Sequence, residues 1–90
     1  MRTVKLLISG RVQGIGYRSW TEHEACALGL SGWVRNLPSG EVEALIAGDE
    51  VILQSMIDRC KQGPRFAKVT DIKVEWDVVT EPLTGFEIRR

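Results

Sequence analysis

The chain has 90 residues, 43% of them hydrophobic and 27% charged, and its 12 basic and 12 acidic side chains cancel to a formal charge of zero. That length allows one domain over residues 1–90 and no second core, and a neutral chain lacks the basic surplus for nonspecific binding to nucleic acid or an anionic membrane. Met1-Arg2-Thr3-Val4-Lys5 leads into a strand pattern without the apolar run of a signal peptide, and no segment approaches a membrane span, so a cytoplasmic protein is expected.

Val4, Leu6 and Ile8 alternate with Lys5, Leu7 and Ser9, which predicts a first strand with the former three on its buried face. Gly10, Gly14 and Gly16 then break regularity before a helix from about Tyr17 to Leu28. Its apolar stripe is Tyr17, Trp20, Thr21, Ala25 and Leu28, with Gly29 placed to end it. Ser31–Asn36 and Glu41–Ile46 read as a hairpin joined by Leu37-Pro38-Ser39-Gly40. Asp49 is set to cap a second helix reaching about Gln62, with Ile52 or Leu53, Met56, Ile57 and Cys60 as its stripe and Gly63-Pro64 as its stop. Ile72, Val74 and Trp76 alternate with Asp71, Lys73 and Glu75 in a half-buried strand. Phe86 and Ile88 mark a short last strand after the Pro82–Gly85 turn.

The order is β-α-β-β-α-β plus a terminal strand. Stacking both helices on one face of an antiparallel sheet buries both stripes, which is the ferredoxin-like α+β sandwich. No apolar surface stripe is then left over, and a monomer is expected. Cys26 falls opposite the stripe of the first helix, in solvent, whereas Cys60 lies on the apolar face of the second. A surface thiol and a core thiol are expected, not a disulfide.

The catalytic inventory is sparse. There is a single histidine, His23, on the polar side of the first helix, where it reads as a surface residue. Two cysteines and one histidine cannot assemble a four-ligand zinc site. No serine–histidine pair and no paired-carboxylate motif can be placed in one cleft, and no cofactor motif is present. An enzyme built from this chain must run a reaction that needs neither a strong base nor a metal. RNA-recognition domains share this element order, but they expose stacking aromatics on their central strands. Neither Lys5–Ser9 nor Glu41–Ala47 contains one.

The distinctive segment is the loop from Gly10 to Gly16, joining a strand to a helix N-terminus. Backbone N–H groups in such a turn can converge on an anion, aided by the helix dipole, and Gly14 and Gly16 permit positive φ and close approach. Arg18 follows in the first helical turn, with a planar fork that matches two phosphate oxygens. A phosphate or sulfate site is one reading. The other is a tight β-to-α turn beside a solvated cation. Arg11, inside the loop, adds at most positive potential.

Gly10-Arg11-Val12-Gln13-Gly14-Ile15-Gly16-Tyr17-Arg18 resembles the acylphosphatase signature, with Ile15 and Tyr17 where valine and phenylalanine are commoner. Gly29-Leu30-Ser31-Gly32-Trp33-Val34-Arg35-Asn36 is similar to the family's second block. Gly40-Glu41-Val42-Glu43, Gly63-Pro64 and Phe86-Glu87-Ile88-Arg89-Arg90 also fit, whereas Ser39 stands where Asp or Asn is usual and Phe66 lies in a variable connection. The resemblance implies the same fold and the hydrolysis of the carboxyl–phosphate bond of small acyl phosphates, without metal or cofactor. It makes Arg18 the catalytic arginine and Asn36 the catalytic asparagine, with Gln13, Gly14, Ile15, Gly16 and Tyr17 binding the phosphoryl group. Similar domains also occur within larger maturation enzymes that handle carbamoyl phosphate, but here a free-standing domain is expected. Having both Arg18 and Asn36 favours turnover over mere anion binding. With Asn36 facing the site, alternation turns Arg35 away from it, and Trp33 and Trp76 are expected to be packing residues.

Overall fold

A computed structural model describes all residues from Met1 to Arg90. The elements are β1 (Arg2–Arg11), α1 (Tyr17–Ala27), β2 (Ser31–Asn36), β3 (Val42–Gly48), α2 (Glu50–Gln62), β4 (Lys68–Trp76) and β5 (Phe86–Arg89). The strands form one sheet in the order β4-β1-β3-β2-β5.

The alternation in β1 is realised as expected. Val4, Leu6 and Ile8 are fully buried and lie opposite Ile46, Ala44 and Val42 of β3. Across the other edge of β1 they face Trp76, Val74 and Ile72 of β4. Helix α1 covers the β2 and β5 side and α2 covers β1, β3 and β4. Each helix turns its stripe inward: Tyr17, Thr21 and Ala25 from α1, and Leu53, Met56, Ile57 and Cys60 from α2. Trp20, Leu28 and Ile52 pack at the rim of this core. Cys26 is exposed, Cys60 is buried, and both are free thiols. Burial pushes the Cys60 thiol up to about 12.

Three features differ from the sequence reading. First, β1 does not stop at Ser9. It continues through Gly10 and Arg11, which pair with Val69 and Lys68 after a register irregularity between Ser9 and Gly10. The glycine bends the ladder without ending it, so the irregular loop shrinks to residues 12–16 and Arg11 belongs to the strand. Second, Asp49 occupies the N-cap position of α2, but its side chain makes no cap bond; only its carbonyl engages, accepting from Leu53 N–H at 2.8 Å.

Third, the sheet is mixed. β5 runs parallel to β2, with Val34 opposite Ile88. The connection at residues 77–85 crosses one end of the sheet. Asp77 N–H donates to the Thr3 carbonyl at 2.8 Å, Thr3 Oγ1 to the Val78 carbonyl at 2.8 Å, and Gly32 N–H to the Gly85 carbonyl at 2.9 Å. The chain leaves β4 at one edge and returns along the opposite edge, beside β2. No helix is long and apolar enough to cross a membrane.

The face of the sheet away from the helices is open, with no further layer of structure over it, and only its central strand is shielded. Every residue of β3 is buried, Glu43 included. The Glu43 carboxylate lies 2.6 Å from Arg35 Nη2 and 3.5 Å from Lys5 Nζ. Trp76 packs against the core with the Arg2 guanidinium over its ring. Trp33 instead lies on the open face, with the guanidinium groups of Arg35 and Arg89 both over its ring.

Candidate active site

The end of β1, the start of α1 and the end of β2 meet at a cleft of about 110 Å³ lined by Val12, Gly14, Gly16, Tyr17, Arg18, Ser19 and Asn36. The loop after β1, the first turn of α1 and the last residue of β2 supply its wall, and each follows from its sequence.

The loop comes first. Gly14 and Gly16 have φ of 76° and 80°, in the left-handed region. A Cβ added at either would meet nothing within 4 Å, so glycine is needed there for backbone conformation and not for room. Gly16 is also the N-cap of α1, and no side chain caps the helix. The first N–H bonded within the helix is that of Trp20, to the Gly16 carbonyl at 3.0 Å. The N–H groups of Tyr17, Arg18 and Ser19 therefore begin the helix without intrahelical acceptors, at its positive end.

Gln13 fixes this loop to the hairpin. Its Nε2 donates to the carbonyls of Leu37 and Glu41, at 2.8 and 2.9 Å. Asn36 immediately precedes Leu37, so the latch sets the loop against the residue across the cleft. Ser9 and Ser39 each donate a hydroxyl hydrogen bond to the Glu41 carboxylate, holding it below its ordinary range. The side chain of Gln13 thus serves the scaffold, and Gln13 does not line the cleft.

Tyr17 and Ile15 also point elsewhere. The Tyr17 ring is buried, with its hydroxyl donating to the Cys60 carbonyl at 2.7 Å. Burial pushes this phenol up, so it stays a neutral donor. Only the backbone of Tyr17 is available to an anion, while its side chain pins the start of α1 to the end of α2. Ile15 packs against the core and is absent from the cleft wall.

Arg18 and Asn36 do share the cleft. The Arg18 Nη1 donates to the Arg89 carbonyl at 3.2 Å, its one hydrogen bond to the protein, which leaves most of its five N–H donors free. Asn36 closes β2, opposite Val42. Its Oδ1 is buried without any hydrogen-bond partner. Such an acceptor costs about 1–3 kcal/mol unless something supplies a donor. Arg35, one residue earlier, points to the open face and donates Nε to Glu43 at 2.7 Å, as alternation requires.

The cleft therefore has one full positive charge, uncapped amides, a serine hydroxyl and an amide side chain, and no carboxylate, imidazole or thiol. That set suits an anion with several oxygens and offers no protein base. The sequence reading missed Ser19 and Val12 as wall residues and the Arg89 carbonyl as the partner of Arg18. Ser19 was findable, since it follows Arg18 in the same helical turn. Arg89 had no local signal, because it reaches Arg18 only through the parallel placement of β5.

Comparison with known proteins agrees with this architecture. The acylphosphatase family profile matches residues 4–88. An acylphosphatase of Rhodopseudomonas palustris is 54% identical over 71 residues, covering 79% of this chain and 72% of that protein. One of Trichormus variabilis is 47% identical over 87 residues, covering 97% of this chain and 85% of the other. The crystal structure of acylphosphatase from Bacillus subtilis superposes with a TM-score of 0.95 over all of both chains at 40% identity. With a profile match across nearly the whole sequence and this similarity in fold, the chain belongs to the acylphosphatase family.

Proposed function

We propose that the cleft binds the phosphoryl group of an acyl phosphate and directs a water against it. Family membership supports acyl phosphate hydrolysis, and the observation that carries the finer reading is that Arg18 and Asn36 line one small cleft beside the uncapped start of α1. The loop amides and Arg18 hold the phosphoryl oxygens and stabilise the charge that shifts among them. Asn36 orients the attacking water in line through its side-chain amide. The water oxygen bonds to phosphorus as the phosphorus–oxygen bond to the acyl group breaks, and that electron pair leaves as a carboxylate. A carboxylate is a weak base and departs without a general acid. In this loose transition state catalysis reduces to positioning and charge stabilisation, and a phosphoryl oxygen takes the water's proton.

The small volume of the cleft, about 110 Å³, suits a phosphoryl group and one water, whose share of liquid volume is about 30 Å³. The acyl part then projects into solvent, so broad tolerance of acyl groups is expected. Benzoyl phosphate hydrolysis, followed in ultraviolet light with and without chelator, tests the assignment together with Asn36→Ala. The wild type should turn over equally in chelator. The variant should lose about 10²- to 10⁴-fold in kcat, the scale of one preorganised polar contact, and keep its inhibition by inorganic phosphate. A destabilised variant that retains its turnover would confine Asn36 to holding the turn.

A further inference from the structure

Arg18 is oriented by an element that looks poorly suited to the task. β5 has four residues, sits at the sheet edge and pairs only with β2, in parallel. Its side chains are largely exposed, Ile88 included at 37%. Yet the Arg89 carbonyl near its end is the sole protein partner of the Arg18 guanidinium.

What holds Arg89 lies on the opposite face of the sheet. Arg35 and Arg89 are register partners on neighbouring strands. Their guanidinium carbons lie 5.1 and 5.0 Å from the centre of the Trp33 ring, so two cations share one indole. Their mutual repulsion is offset by carboxylates. Arg35 is fixed on the nearly buried Glu43, and Arg89 Nε donates to Glu87 at 2.7 Å. Arg35 is thereby anchored to Glu43, its guanidinium lies over Trp33, and that of Arg89 lies over the same ring.

We propose that Trp33 is a positioning residue: by stacking on the Arg89 side chain across the open face of the sheet, it fixes the end of β5 and so the carbonyl that orients Arg18 in the cleft. The inference rests on the reading of Arg18 as a phosphoryl ligand. Trp33 touches no substrate and acts only through Arg89, so its removal should loosen anion binding more than its loss of packing would suggest.

The test compares two tryptophans. Trp76 carries a similar stack, with Arg2 at 4.6 Å, but on β4 at the far edge of the sheet. Inorganic phosphate inhibition of benzoyl phosphate hydrolysis and melting temperature are measured for Trp33→Leu, Trp33→Phe, Arg89→Ala, Trp76→Leu and Arg18→Ala. Trp33→Leu and Arg89→Ala should each weaken phosphate inhibition about five-fold, the scale of one cation–π contact, and Trp33→Phe should recover most of it. Trp76→Leu should lower the melting temperature and leave inhibition unchanged. Arg89 is exposed, so its variant decides the matter if Trp33→Leu fails to fold. Equal effects from both tryptophans, or unchanged inhibition in Arg89→Ala, would overturn the inference. If Arg18→Ala itself leaves inhibition unchanged, the assignment of Arg18 fails and the inference with it. A loss in Arg18→Ala beside normal Trp33 and Arg89 variants sinks the inference alone.

Discussion

The two helices of this protein face the same physical problem and answer it differently. Both lay an apolar stripe on one sheet, and both begin without a side-chain cap bond. α2 otherwise follows the rules of helix stability: Asp49 at the N-cap, Glu50 in the first turn, and Arg59 and Lys61 in the last, so charge complements the dipole at both ends. α1 has Gly16 at the N-cap in a left-handed conformation, no acid in its first turn and no base in its last. It places Arg18 where a negative charge would be favourable. A helix that breaks local preferences at one end, while its buried face obeys them, is expected where a site has been built. In the proposed function the uncapped positive end of α1 receives the phosphoryl group, and tertiary contacts such as Tyr17 to the Cys60 carbonyl hold the helix in place of a cap.

The comparison is broken most sharply by giving α1 the charge pattern of α2. Arg18→Glu should abolish phosphate inhibition and cost at least about 3 kcal/mol of transition-state stabilisation, read as kcat/KM. Stability should hold or rise, because an acid in the first turn gains about 0.3–1 kcal/mol from the dipole. An active variant would remove Arg18 from the site. Arg18→Lys should rescue little, since an ammonium cannot reproduce the planar fork.

A smaller effect is expected from the loop backbone. Gly16→Ala meets no neighbouring atom, so only its φ of 80° resists the substitution. That strain amounts to about 1–2 kcal/mol. The fold should survive with a lowered melting temperature, and phosphate inhibition should weaken as the loop relaxes. Unchanged inhibition would show that this glycine serves the turn alone.

The smallest change lies at the other helix. Glu50→Gln removes the acid from the first turn of α2 and its ion pair with Arg2. The dipole contribution of about 0.3–1 kcal/mol should be lost from stability, visible as a shift in thermal melting, with no change in kcat or in phosphate inhibition. A catalytic effect there would mean that the two helix ends are coupled and the contrast between them is wrong.

Much of this molecule was legible before folding. Alternation in β1 and the helical stripes on α1 and α2 are local patterns whose periods report directly on which face is buried, so the layers and the core residues follow from them. The positive φ of the glycines at 14 and 16 and the start of α1 at Tyr17 were legible because backbone conformation and helix start are also local properties. Gln13, Ile15 and Tyr17 show the limit of that logic. The motif brings all three to the loop, but contacts distant in sequence turn their side chains to the hairpin, to the core and to the end of α2.

What the tertiary structure alone decided is what depends on two segments meeting. A sequence pattern records which face a residue occupies, not which strand lies beside it. The parallel edge position of β5, and with it the Arg89 carbonyl on Arg18, comes from a connection that crosses the end of the sheet. Arg35 reaches the Trp33 ring from the same strand, but Arg89 reaches it only through the register of β2 with β5, between segments far apart in the chain. The buried, partnerless oxygen of Asn36 has the same origin. Asparagine in a turn can satisfy its own neighbouring backbone, but the tertiary packing around Asn36 buries its Oδ1 and leaves it without a partner.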